Sequence, residues 1–457
     1  MRARGQGALA LVVALVVVVV GLAFDRLGPE QAASVSPAPT ASGAWLCPHG
    51  GGQGWRTILA LANPGTADVT ARITSLGPDA PKPPTIVTVP AGTELRQEVP
   101  SADRGASTFV EYFGGWIAAG WTAQAGGSDV GVSAEPCAPD AARQWYAPDN
   151  TTQIDQDAYL VITNPFGTAA VFDVVLFTTD RAPIRDSDLT NLSLRAHRSM
   201  AVRLDHFVAD EEAVTAEVDV TSGRAAVASL GVTQGRGVRS ALASAGTTAQ
   251  TYLPVAGGSG GQYQVMVTVP GGSGVTFGAT LFSNQPVRPV PGLVGAAQDP
   301  QSARVYPLNT NGASAAFVQT KSGGQIVAGL RSIGVGGDTA ATAGATSTAT
   351  AWVVTPTVVG SHGTPGMVLV NPGAEAVDVT LHLLAPDGTT GAADVTVTVP
   401  PTASLLAPPG FLASASGASV LVTSQGGGIV AMGASTSRLP DSPAAYALAM
   451  GVPMPGS

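Results

Sequence analysis

Apolar and polar residues alternate along much of this chain. In residues 377–384, Val377, Val379, Leu381 and Leu383 fall on one side of an extended backbone, and Asp378, Thr380 and His382 on the other. That period of two is the mark of a half-buried β-strand. Val395-Thr396-Val397-Thr398-Val399 alternates again, as do Val69, Ala71 and Ile73. Turn residues separate the runs. Asn371-Pro372-Gly373 and Pro386-Asp387-Gly388 combine a side chain that bonds its own backbone, a fixed φ and a residue that accepts positive φ. Farther on, Gly114-Gly115, Ser222-Gly223, Gly323-Gly324 and Gly426-Gly427 each interrupt a pair of apolar runs, which predicts four hairpins with tight turns. Helical periodicity is confined to the N-terminal run, apart from short ambiguous patches such as 207–213.

The pattern repeats. Trp45, Trp145, Tyr252 and Trp352 open similar stretches, 100, 107 and 100 residues apart. The apolar runs ending at Asn63-Pro64, Asn164-Pro165, Val269-Pro270 and Asn371-Pro372 keep nearly the same period, with prolines 101, 105 and 102 apart. A period of that length is domain-sized, well beyond the roughly 20–50 residues of solenoid repeats or propeller blades. Each unit holds about seven short strands with turns every 8–12 residues, the signature of a β-sandwich. The expectation is an all-β chain: an N-terminal transmembrane helix or signal segment (1–26), a Pro/Ser/Ala-rich linker (27–43), then four tandem Ig-like antiparallel sandwiches at 44–142, 143–249, 250–350 and 351–457.

The N-terminal run changes the picture most. Arg2 and Arg4 precede an uncharged apolar stretch of about 17 residues ending at Phe24, the lower limit for a spanning helix. Positive charge ahead of it predicts an inside N-terminus and an extracytoplasmic remainder. Gly21-Leu22-Ala23 fits a cleavage site, so a removed signal peptide is the alternative. Both readings export the chain. In an exported protein the only two cysteines, Cys47 and Cys137, read as a disulfide tying the ends of the first sandwich together.

Composition narrows function by exclusion. Net charge is −9 with only two lysines, Lys82 and Lys321, which argues against phosphate neutralisation and nucleic-acid binding. Gly257-Gly258-Ser259-Gly260-Gly261 matches a nucleophile motif, but that motif needs a strand before it and a helix after it; here a strand pattern follows. His49, His197, His206, His362 and His382 form no metal-ligand spacing. Asp155 and Asp157, and Asp186 and Asp188, have the i, i+2 spacing of a calcium loop without the rest of its pattern, and Arg181 and Arg185 can pair with the insert acids. No catalytic, cofactor or metal residues are therefore assigned, and no enzyme activity is expected. Trp55, Trp116 and Trp121 crowd the first unit and are candidates for a binding surface. Trp116 and Trp121 differ by an odd number, so on an uninterrupted strand they face opposite sides.

The order of apolar strand, Asn-Pro-Gly, alternating strand, Val-x-Val-Pro and Gly-turn hairpin, behind a Trp-Leu-Cys start, resembles a family of uncharacterised actinobacterial exported proteins built of Ig-like modules. The third unit departs from it at Val269. The resemblance implies an envelope location and supplies no catalytic residues. The expected function is a non-catalytic, membrane-anchored scaffold of the cell envelope with an envelope protein or cell-wall glycan as partner. A carbohydrate- or protein-binding module is the alternative, and a cell-wall hydrolase is less favoured.

Overall fold

Val69, Ala71 and Ile73 face the interior as their alternation predicts, and the polar residues between them face out. In the computed structural model they lie on the third of eight strands in the first segment: β1 (Gly43–Cys47), β2 (Arg56–Asn63), β3 (Val69–Leu76), β4 (Thr85–Val89), β5 (Thr93–Val99), β6 (Ser107–Phe113), β7 (Ala118–Gln124) and β8 (Val132–Pro136). They form two antiparallel sheets, ordered β1-β6-β3-β4 and β5-β2-β7-β8. The structure describes residues 42–257, 261–310, 312–358, 363–386, 393–415, 417–437 and 445–457. The apolar N-terminal run and nearly all of the 27–43 linker lie outside the described residues, as do His362, Ser259 and Asp387. Among the described residues no helix is long and apolar enough to cross a membrane.

The same strand order recurs in the three later segments, with one short additional strand (Arg288–Pro289) in the third and one at the C-terminal end of the fourth. The chain is thus all-β and sandwich-like; among the described residues there is one short α-helix, α1 (Pro409–Ala415), and one 3₁₀ turn. Eight strands per segment replace the seven expected.

One expectation is corrected. The Gly-Gly and Ser-Gly steps are not hairpin turns, because β6 and β7 belong to opposite sheets. They are arches from one sheet to the other. Gly114, Gly223, Gly323 and Gly426 sit there at φ 92°, 80°, 94° and 95°, a region open to glycine at no steric cost. The Asn-Pro steps are arches too, since β2 and β3 lie in different sheets. The true hairpins are β3–β4 and β7–β8.

Repeated side chains pin these arches. Trp45, Trp145 and Trp352 are buried on the first strand of their segments, and each indole Nε1–H donates to a carbonyl just beyond the glycine arch: Ile117, Ala225 and Ile429, at 2.8, 2.7 and 2.9 Å. Tyr252 takes the place in the third segment and stacks on Phe317 instead, 4.7 Å between ring centres. Asn63, Asn164 and Asn371 are buried, and the amide oxygen of each accepts the backbone N–H two residues on. Their amide nitrogens donate across the arch to Val89, Leu194 and Val399 carbonyls.

The segments do not string out as a rod. Strand β8 packs between Gly237–Leu242 and Ala445–Met450, the eighth strands of the second and fourth segments, and Thr339–Thr342 of the third lies between the same two on the far side. Four edge strands therefore close a ring. They approach closely because their facing residues are small and buried: Ser133, Ala134, Ser240, Ala341, Ala447 and Ala449 among them. The first and fourth segments also meet directly. The Thr122 hydroxyl donates to the Pro356 carbonyl at 2.6 Å, Arg96 donates to Gly417, and Glu94 accepts the Ser419 N–H. The second and third segments share a buried cluster in which the Asp149 carboxylate pairs with both Arg239 and Arg331. The third and fourth share one continuous apolar core.

Candidate functional site

Where the ring strands end, each chain turns back to pair with the first strand of its own segment, through Leu46–Ala138, Tyr146–Ser244, Tyr252–Ala345 and Val353–Val452. The four returning turns line an open cavity of about 660 Å³ to which every segment contributes. That volume lies within the range of small-molecule sites, roughly 300–1,000 Å³. Its wall is mainly apolar: Trp45, Trp116, Trp352, Met450, Met454 and several prolines, with Ser and Thr hydroxyls from the second and third segments.

Trp116 and Trp45 meet edge to face, 6.2 Å between centres. Trp45 is held by its bond to Ile117, and Trp116, the residue before, is only partly buried. Cys137, disulfide-bonded to Cys47, lies in the wall and fixes the first strand against the returning turn.

Glu135 is also in the wall, 1 % exposed. Burial pushes its carboxyl well above the usual carboxylate range, and a hydrogen bond from the Leu242 backbone N–H opposes this in part. Its Oε1 has no hydrogen-bond partner among the described residues. A buried polar atom left unpaired costs roughly 1–3 kcal/mol, so this carboxyl is a liability to the fold.

The repeat register shows that the fold does not require it. Across the last hairpin Trp121, Ser229, Leu330 and Gly433 oppose Glu135, Ala241, Thr342 and Ala449 respectively. Three segments fill the position with a small neutral residue. Aligned on the indole-bonded carbonyls and the matching bridge at Ile326, Trp116 corresponds to Arg224, Gln325 and Gly428. The first segment's departures, Trp116, Glu135 and Cys137, thus fall together on the cavity wall.

The other residues singled out by the sequence lie elsewhere. Trp55 is buried, its Nε1–H donating to Asp129 at 2.9 Å, with the Arg104 guanidinium over its ring. Trp121 is core, at 1 % exposure, beside His49. Of the three tryptophans only Trp116 reaches the cavity; burial removes Trp55 and Trp121 from any surface. His49, in a loop, is fully buried: its ring contacts the Gly50 carbonyl and the Thr108 hydroxyl, and desolvation holds its pKa down to about 4. His382 is exposed and pairs with Asp394. Asp157 pairs with Arg203, Asp186 caps a 3₁₀ turn, and Arg181 reaches Glu211 rather than the insert acids. Among the described residues no three His, Cys, Asp or Glu side chains gather as a metal site. Gly261 leads into the strand Gln262–Val269, not a helix. Sequence reasoning missed Glu135. Its only sequence signal is a carboxylate in the last strand of a unit whose copies there carry Ala or Thr, and reading it needs the hairpin register.

These sheets and their shared cavity define a class: an all-β, sandwich-like protein of several antiparallel sheets with a cavity lined by all four segments. The chain belongs to a family of unknown function, DUF5719, which it matches over residues 103–364. That span takes in all of the second and third segments and parts of the other two. No curated protein matches the chain. Among solved structures it is faintly similar to trypsin-activated alpha-2-macroglobulin from Escherichia coli, at 9% identity and a TM-score of 0.12, over 90% of this chain and 42% of that one. This chain thus spans about two fifths of that protein's length. A tetra-tandem repeat in the extending region of a large adhesion protein shows 12% identity and a TM-score of 0.09, over 85% and 93% of the two chains. At those scores neither likeness carries an argument.

Proposed function

We propose that this is a non-catalytic, extracytoplasmic interaction protein of the cell envelope, tethered by its N-terminal apolar run and built from four copies of one Ig-like sandwich module. The observation that carries the reading is the jointly built cavity: a mainly apolar recess to which all four segments contribute, on a frame closed by buried hydrogen bonds. A pre-formed frame loses little freedom when it binds, which suits a platform. The arginines ahead of the apolar run and the disulfide favour an exported chain. The partner is an envelope protein or cell-wall glycan. Crosslinking in intact cells, followed by purification in mild detergent and mass spectrometry, tests this. One stoichiometric envelope component, lost in a Trp116→Ala variant, is the expected result. Recovery of cytoplasmic proteins alone, or an unmodified N-terminus accessible only with the rest of the chain inside the cell, would overturn it.

A further inference from the structure

We propose that the shared cavity binds a small ligand with a flat apolar body and an ammonium group, the body lying against Trp116 and Trp45 and the ammonium against Glu135. This deepens the reading of the cavity as the interaction site and rests on it.

Three observations converge. The cavity has room for a compact ligand, and three indoles contribute to its wall. Aromatic faces attract cations through their quadrupole, and more strongly where water is excluded. Glu135 is the sole ionisable side chain among the lining residues, since Cys137 is in a disulfide. Its Oε1 lacks a partner while its other interactions are satisfied by the Leu242 N–H. Oε1 is closed to solvent in this structure, so the carboxyl must turn toward the cavity before a ligand N–H donor supplies the missing bond; charge-assisted bonds of this kind are the stronger ones. Burial raises the Glu135 carboxyl well above the usual carboxylate range, which favours its acid form when no cation is near. An ammonium beside it would favour the ionised form, any bound proton passing to solvent, and leave a carboxylate–ammonium pair. Finally, Ala241, Thr342 and Ala449 at the matching positions show that a carboxyl is dispensable to the strand, so its retention in one segment alone points to a ligand.

The test uses the full chain in detergent and three probes of one shape: phenethylammonium, 2-phenylethanol and 3-phenylpropionate, titrated by calorimetry and by tryptophan fluorescence. The ammonium is expected to bind at least tenfold tighter than either of the others. Glu135→Gln keeps the shape, and Glu135→Ala installs the residue that two other segments carry; both are expected to erase the preference while leaving weak binding of the neutral probe. Trp116→Ala is expected to weaken all three. Equal affinity for the three probes, or a preference that survives in both Glu135 variants, would overturn the role of Glu135 and leave the cavity as an apolar site. Failure of all three to bind would overturn the ligand class, while the crosslinking result stands separately.

Discussion

Asn63 and its counterparts show how much one buried amide does. Each bonds both sides of an inter-sheet arch, so replacing Asn63 with alanine strands two carbonyls and one N–H. We expect a loss of about 3 kcal/mol in urea unfolding; a loss below about 1 kcal/mol would mean water replaces the amide. The third segment solves the same problem from the other strand. Val269 stands in the Asn position, and Gln298 stands where Val89, Leu194 and Val399 do. The Gln298 amide donates to the Val267 and Ser302 carbonyls at 3.0 Å. Gln298→Val alone should therefore destabilise, and adding Val269→Asn should recover most of the loss in a double-mutant cycle. His49 carries a pH signature. Folded, its ring stays neutral down to about pH 4, whereas unfolded it protonates near 6.5. Between those values the unfolded chain holds the extra proton, so stability is full above 6.5 and falls as pH drops toward 4, by about 3 kcal/mol. Glu135 acts in the opposite sense, its raised pKa removing stability as pH rises past the ordinary carboxylate range. The His49 contribution is thus read as the difference between wild type and His49→Gln, which should lose the acid slope; parallel curves would contradict a buried neutral ring.

At the level of strands, the Cys47–Cys137 bond closes a loop of 90 residues, and loop-closure entropy sets its worth at up to about 4–5 kcal/mol. Cys47→Ser with Cys137→Ser should lower the urea midpoint accordingly, and reductant should have no further effect on that variant. The alternating strands were legible because period two depends only on which face meets the core. Val377 to Leu383 is the clearest case. The glycine arches were misread as hairpins because a tight Gly turn looks the same whether its strands pair or part. What separates them is the indole reaching Ile117 from 72 residues away, a contact that local pattern does not contain. Trp116 was visible as an odd aromatic, and its partial exposure follows from lying before β7 rather than on it. Glu135 was illegible for the same reason as the arches: its meaning depends on the register of β7 against β8.

For the ring as a whole, closure makes each segment depend on two neighbours. A chain ending at residue 350 would lack the strand that covers Ala134 and the fourth segment's half of the shared apolar core. It should unfold at lower urea than the full chain and expose apolar surface to a reporter dye. In an open array the remaining three segments would lose only one neighbour interface. By the same logic calorimetry of the intact protein should give one transition with matching calorimetric and van't Hoff enthalpies. Separate transitions for the segments would show that the interfaces are weak.

Closure also constrains how such a chain can change over time. An open row of modules can gain or lose a copy at either end and keep its neighbours intact. Here a fifth copy has no gap to enter, and a lost copy leaves two faces bare. Copy number is frozen by geometry, and diversification is left to substitutions inside individual copies. The first segment differs from the other three in this way at Trp116, Glu135 and the cysteine pair.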